Sequence, residues 1–270
     1  MDNNIAFAFA LTIIAGLSTG IGSIIAFFTK RTNTKFLAIA LGFSAGVMIY
    51  VSFIDIIIES NKLLIEEMGK QGGLWATVAG FFGGILIIAV IDYLVPSYEN
   101  PHESHMVEEI GTCETIPVNH KLYRSGILVA AAIMIHNFPE GVATFTMALK
   151  NPSIGIAIAF AIAIHNIPEG IAVSVPVFCA TGKRKKAFFL SLLSGFSEPF
   201  GALIAYVILM PFLNNFVLGI VFASVAGIMI YISFDELLPA AREYGEHHLS
   251  MYGLITGMAV MASSIILLGQ

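Results

Sequence analysis

Two short phrases carry most of the chemistry in this chain: HNFPEG at 136–141 and HNIPEG at 165–170. Each sets a histidine, an asparagine and a glutamate inside a stretch that is otherwise apolar. Of the seven histidines, only His136 and His165 lie within such stretches. Glu140, Glu169 and a third acid, Glu198, fall at similar depth. A charged side chain at the centre of a bilayer costs roughly 2.5–3.5 kcal/mol even on the lenient insertion scale. No Lys or Arg occupies the core of any apolar run, so ion pairing within the chain cannot offset that cost. A divalent cation can.

The spacing supports coordination. On a helix at about 100° per residue, with His136 at zero, Asn137 falls near 100° and Glu140 near 40°. Glu140 thus stands between His136 and Asn137, one turn along, and Glu169 stands likewise between His165 and Asn166. A carboxylate so placed serves either side or bridges both. Two adjacent cation positions follow: His136, Glu140, His165 and Glu169 for the first, Asn137, Glu140, Asn166 and Glu169 for the second. Imidazole nitrogen with carboxylate oxygen suits Zn²⁺, Fe²⁺, Mn²⁺ or Co²⁺ better than Ca²⁺ or Mg²⁺. Pro139 and Pro168 each remove a backbone N–H and crowd the carbonyl four residues earlier, which predicts a kink beside each histidine. Such backbone is tolerated at membrane depth where it faces protein or a wet cavity. Gly141 and Gly170 predict close helix approach. In SGFSEPFG, Glu198 again precedes a proline and is a further candidate ligand for the second position.

The elements that must hold these residues are membrane spans. The chain is 57% hydrophobic and 11% charged over 270 residues, with a mean hydropathy of +0.87. Soluble domains carry about 25% charged residues. Runs of about 20 apolar residues cross a bilayer, and eight are expected: 5–28, 36–59, 74–94, 124–149, 153–178, 187–210, 216–241 and 251–268. The first lacks a basic leader region and reads as a retained span. The fold class is therefore all-α integral membrane, a single transmembrane domain over 1–270. The net charge of −5 says little, because most acids sit in connections, and no long basic run points to nucleic acid. Cys113 and Cys179 provide neither a CxxC pair nor a disulfide framework. Alternate connections share a side, and Lys and Arg divide ten against three between the sides. That asymmetry predicts both termini outside and the 95–123 connection in the cytoplasm. This connection carries His102, His105 and His120 with several glutamates. They suit metal sampling, although a solvated acidic linker explains them equally without a fixed zinc-site spacing.

Internal repetition sharpens the fold. AGVMIYVSF at 45–53 and AGIMIYISF at 226–234 agree at seven of nine positions, and Ser18–Phe27 weakly matches Ser197–Tyr206. The matched spans run in opposite directions, so spans 1–3 are expected to mirror spans 6–8 around spans 4 and 5, a 3+2+3 arrangement. Inverted repeats accompany substrate sites near the midplane of transporters. Asp55 near the outer end of span 2, Asp92 near the inner end of span 3, and Asp235 and Glu236 near the inner end of span 7 are candidate pathway acids. The matched Ser52 and Ser233 are candidate lining residues.

Eight spans, a histidine-bearing loop before span 4, HNFPEG, HNIPEG and SEP together resemble the ZIP family of divalent-metal transporters. The nearest likeness is to its bacterial ZupT and GufA-like branch, and it covers essentially the whole chain. The resemblance implies a binuclear metal centre with His136, Asn137, Glu140, His165, Asn166, Glu169 and Glu198 as ligands. It also implies uptake into the cytoplasm across the cytoplasmic (inner) membrane and a homodimer. The metals would be transported substrate rather than cofactor: zinc first, with iron, manganese, cobalt and cadmium. Two other functions compete. An intramembrane metallo-hydrolase also uses His and Glu on a helix. Zinc proteases of that kind place glutamate directly after the first histidine, where this chain has Asn137 and Asn166. A selective metal channel could use the same ligands.

Overall fold

The computed structural model describes residues 2–28, 34–94, 120–209, 212, 214–243 and 247–267. Among these residues there is no strand. Helix α1 is Asp2–Phe28. α2 (Thr34–Val51) passes through a π-helical turn, Ser52–Ile56, into α3 (Ile57–Leu94). α4 is His120–Lys150 and α5 is Pro152–Thr181. α6 (Arg184–Gly195) and α7 (Ser197–Ile204) follow in near continuity, and α7 runs into a second π turn, Ala205–Leu209. α8 (Asn215–Ile232) leads through a third, Ser233–Leu237, into α9 (Leu238–Glu243), and α10 is His247–Leu267.

Among the described residues, six stretches are long and apolar enough to cross a membrane: Asn4–Phe28, Thr34–Tyr93, Pro152–Thr181, Arg184–Ile208, Asn215–Glu243 and His248–Leu267. Thr34–Tyr93 has 60 residues. Straight, it would extend about 90 Å, three times the ~30 Å hydrocarbon core. It does not run straight, because Gly69 has φ 73° and ψ 167°. There the chain doubles back, and a Cβ at Gly73 would lie 2.5 Å from Ile65 N. The helix thus continues beyond the apolar run ending near 59. Its extra turns, SNKLLIEEM, are mostly good helix formers, and apolar run length measures the lipid crossing rather than the helix. Asp55 consequently sits in the π turn, 14 residues before the reversal, rather than at a helix end.

Local signals set the other boundaries. Asn151 caps α5 by accepting from Ser153 N and Ile154 N, and Pro152 fills the first helical position, where its missing N–H costs nothing. Gly182, at φ 64°, ends the same helix in the left-handed conformation. Asn214 caps α8 through Val217 N at 2.8 Å. Cys179 lies near the end of α5, and Cys113 lies outside the described residues.

The helices pack in two groups. α1, α4, α5, α6 and α7 contact one another; α2, α3, α8, α9 and α10 form the other group. α2 against α5 is the main seam between them. Within the second group, α2 lies along α10 and α3 along α8. The matched glycines make matched contacts: a Cβ at Gly46 would lie 2.1 Å from Leu254 O, and one at Gly227 would lie 2.1 Å from Phe81 O. The largest apolar core, including Met48, Ile56, Ile88, Phe222 and Met229, fills this second group and continues across the seam to Ile158 and Ile162 of α5.

Candidate metal site

The site is built where α4 meets α7 and α5 meets α1 backbone to backbone. A Cβ on Gly141 would lie 2.0 Å from Glu198 O, and one on Gly201 would lie 2.3 Å from Phe138 O. On the other flank, a Cβ on Gly170 would lie 1.9 Å from Thr19 O, and one on Gly22 would lie 2.0 Å from Ile167 O. Only hydrogen side chains permit these distances. The last residue of each HNxPEG phrase therefore fixes how closely its own helix meets a neighbour, α4 against α7 and α5 against α1. Both α4 and α5 keep helical backbone through Pro139 and Pro168.

Glu198, in the first turn of α7, is fully buried. Asn166 Nδ2 donates to Glu198 Oε1 and, at 2.9 Å, to Ala15 O. Glu198 Oε2 and Asn166 Oδ1 have no hydrogen-bond partner among the described residues. Glu140 and Glu169 act on Glu198 electrostatically. Asn137 is also fully buried. With its amide nitrogen turned inward, Nδ2 donates to Ile133 O at 3.1 Å and to Glu169 Oε2 at 3.2 Å.

These contacts bring together Asn137 with Glu169, and Asn166 with Glu198 and, through it, Glu140 and Glu169. His136 and His165 stand on α4 and α5 one residue before the asparagines, and their side chains lie outside the described residues. Among the described residues no cluster of three or more His, Cys, Asp or Glu has the form of a metal site.

Asp92 accepts from Tyr231 Oη at 3.3 Å, which ties α3 to α8. Asp235 is exposed and Glu236 nearly buried, both in the π turn after α8. Ser52 and Ser233 are fully buried at the starts of matched π turns, and Ser233 Oγ donates to Met229 O at 2.7 Å. His102 and His105 lie outside the described residues; His120 opens α4, with its side chain likewise outside them.

Sequence reasoning missed the carbonyls of Ala15 and Ile133, which no side-chain pattern can signal. It also missed Thr19, whose buried Oγ1 has no hydrogen-bond partner among the described residues. Its signal was present: the weak match of Ser18–Phe27 to Ser197–Tyr206 puts Thr19 in the register of Glu198.

A family model described as ZIP zinc transporter matches residues 93–264. This chain belongs to the ZIP family. Curated relatives agree over nearly their whole length. The zinc transporter ZupT of Lysinibacillus sphaericus (strain C3-41) is 60% identical over 268 residues, covering 99% of this chain and 100% of the relative. That of Nitratidesulfovibrio vulgaris is 60% identical over 98% of both chains, and that of Streptococcus mutans serotype c is 58% identical over 99% of both. Membership places the chain among multi-pass membrane transporters and removes the metallo-hydrolase alternative.

Proposed function

We propose that this ZIP protein takes up divalent metal, zinc first, across the cytoplasmic membrane through a binuclear site of His136, Asn137, Glu140, His165, Asn166, Glu169 and Glu198. The carrying observation is the fully buried Glu198, held by Asn166 Nδ2 through one carboxylate oxygen and left without a partner among the described residues at the other, with no Lys or Arg in the apolar core. Burying charge of one sign is costly unless an opposite charge joins it. Imidazole, amide and carboxylate donors also accept iron, manganese, cobalt and cadmium, so the cargo includes these.

Eight spans fit the helices: the six apolar stretches, with Thr34–Tyr93 divided at Gly69 and α4 added. The inverted 3+2+3 repeat is supported by the matched π turns after α2 and α8, by Gly46 and Gly227, and by the paired approaches of Gly141 to Glu198 and Gly170 to Thr19. In this reading both termini are outside, the 95–123 loop is cytoplasmic and samples metal, and the acids Asp55, Asp92, Asp235 and Glu236 serve the two mouths with Ser52 and Ser233 between. Homodimerisation rests on the family resemblance alone. Two packed helix groups meeting along a seam favour alternating access, with one group moving against the other.

Radiolabelled zinc uptake into proteoliposomes tests the proposal. Wild type is expected to show saturable flux, and His136→Ala and Glu169→Ala to lose it. Absence of flux in wild type would sink the transport reading, full flux in both variants the assigned site. Flux that rises without saturating would favour the channel.

A further inference from the structure

An apolar crevice of about 580 Å³ opens between the two helix groups, its lining including Pro139 and Ser197, the sequence neighbours of Glu140 and Glu198. Ile91 of α3 lines one side; Met134 and Pro139 of α4, Leu193 of α6, Phe196 and Phe200 of α7 line the rest. Leu193, Phe196 and Phe200 are each about half exposed, so the crevice is open laterally. In a multi-pass membrane protein, a lateral apolar opening of this kind is accessible to lipid.

The helix bearing the crevice begins with a basic cluster, Lys183, Arg184, Lys185 and Lys186, all exposed. Arg184 lies over the Phe178 ring at 5.9 Å, which fixes the cluster against the end of α5. The cluster and crevice share one helical face. At about 100° per residue, Lys185, Phe189, Leu193, Phe196 and Phe200 fall within roughly 80° of one another. Phe189, between them, is 64% exposed. Along the axis, Leu193 lies about 12 Å and Phe196 about 16 Å from Lys185 at 1.5 Å per residue. Half a bilayer core is about 15 Å deep. A phospholipid whose headgroup rests on the lysines therefore lays its tail along Phe189 and into the crevice.

We propose that this face is a binding site for one anionic phospholipid, with the headgroup on Lys183–Lys186 and one acyl chain between α3 and α4–α7. Basic clusters at a membrane surface select anionic headgroups, and the crevice supplies a tail site that the bulk bilayer does not. The tail fills the gap between the two helix groups, touching Pro139, one residue from Glu140. The proposal rests on membrane placement and not on the metal site.

The chain has a single tryptophan, Trp75, which makes the test direct. Trp75 is 65% exposed on α3, away from the crevice, and serves in wild type as the reference for ordinary lipid contact. In Trp75→Phe protein, a sole tryptophan is placed in the crevice by Phe196→Trp or, in a second variant, Leu193→Trp. The full chain is reconstituted with phosphatidylglycerol or phosphatidylcholine brominated mid-tail, and quenching is measured against mole fraction. At the crevice, phosphatidylglycerol is expected to quench at a mole fraction at least about fivefold lower than phosphatidylcholine; at Trp75 the two should be equal. Adding Lys183→Gln, Lys185→Gln and Lys186→Gln should reduce the preference by up to about fivefold per charge. Equal quenching by both lipids at the crevice overturns the proposal, as does weak quenching by both or a preference unchanged by the three substitutions. Two probe positions keep the test decisive if one variant fails to fold, and zinc uptake is not its readout.

Discussion

Gly141→Ala isolates what the glycine of the repeated phrase contributes. The new Cβ would stand 2.0 Å from Glu198 O and 2.6 Å from its carbonyl carbon and Cα. All three are backbone, so no rotamer change relieves the clash. Contact below 3.0 Å is essentially never seen, so α4 and α7 must part by about 1 Å. Overpacking of this size costs about 1–3 kcal/mol. The displaced residue is Glu198 itself, and functional constellations tolerate errors of only about 0.5 Å. Zinc uptake in proteoliposomes is therefore expected to fall about tenfold or more, alongside a lower melting temperature in detergent. Gly83→Ala is the matched control, because nothing lies within 4 Å of its Cβ. There the same substitution should be neutral or stabilise by about 0.5–1 kcal/mol, the helix-propensity difference. Wild-type uptake and melting in Gly141→Ala would refute the close approach. Equal losses in both variants would show that the effect comes from removing a helical glycine in general.

Further expectations are simpler to state. Asn166→Ala removes the donor to Glu198 Oε1 and Ala15 O; thermal unfolding should show a loss of about 1–3 kcal/mol, and zinc binding by calorimetry should weaken. Gly69→Ala forces a side chain into φ 73°, ψ 167°, a region open essentially only to glycine, at about 1–3 kcal/mol. Gly69→Asn should fare no better, because asparagine tolerates the left-handed helical region and not this ψ. Lys150→Met breaks the 3.1 Å pair with Glu59. Both partners are partly exposed, so stability should change by less than about 1 kcal/mol, and less still in high salt; a loss of several kcal/mol would mean that the pair holds the two helix groups together.

The sequence determined the composition of the site and the class of molecule. Ionisable residues inside apolar runs are expensive, so their mere presence at 136–141, 165–170 and 198 announced a purpose. Hydropathy placed the apolar helices, because lipid imposes length and composition directly on the chain. The repeat was legible for the same local reason: AGVMIYVSF and AGIMIYISF can be compared without knowing where either lies. Tertiary structure decided the partnerships. That Asn166 holds Glu198, that Asn137 faces Glu169, and that Ala15 and Ile133 lend carbonyls depend on which helices touch, and helix choice is set by glycine contacts across residues far apart in sequence. The reversal at Gly69 was hidden for a different reason. Residues 60–68 have ordinary helix propensity and carry polar groups, so hydropathy ended the span near 59, while the backbone continued helically until a glycine let it turn. The apolar crevice below Lys183–Lys186 was hidden as well, since a void belongs to no residue and arises only where α3 and α4–α7 fail to meet.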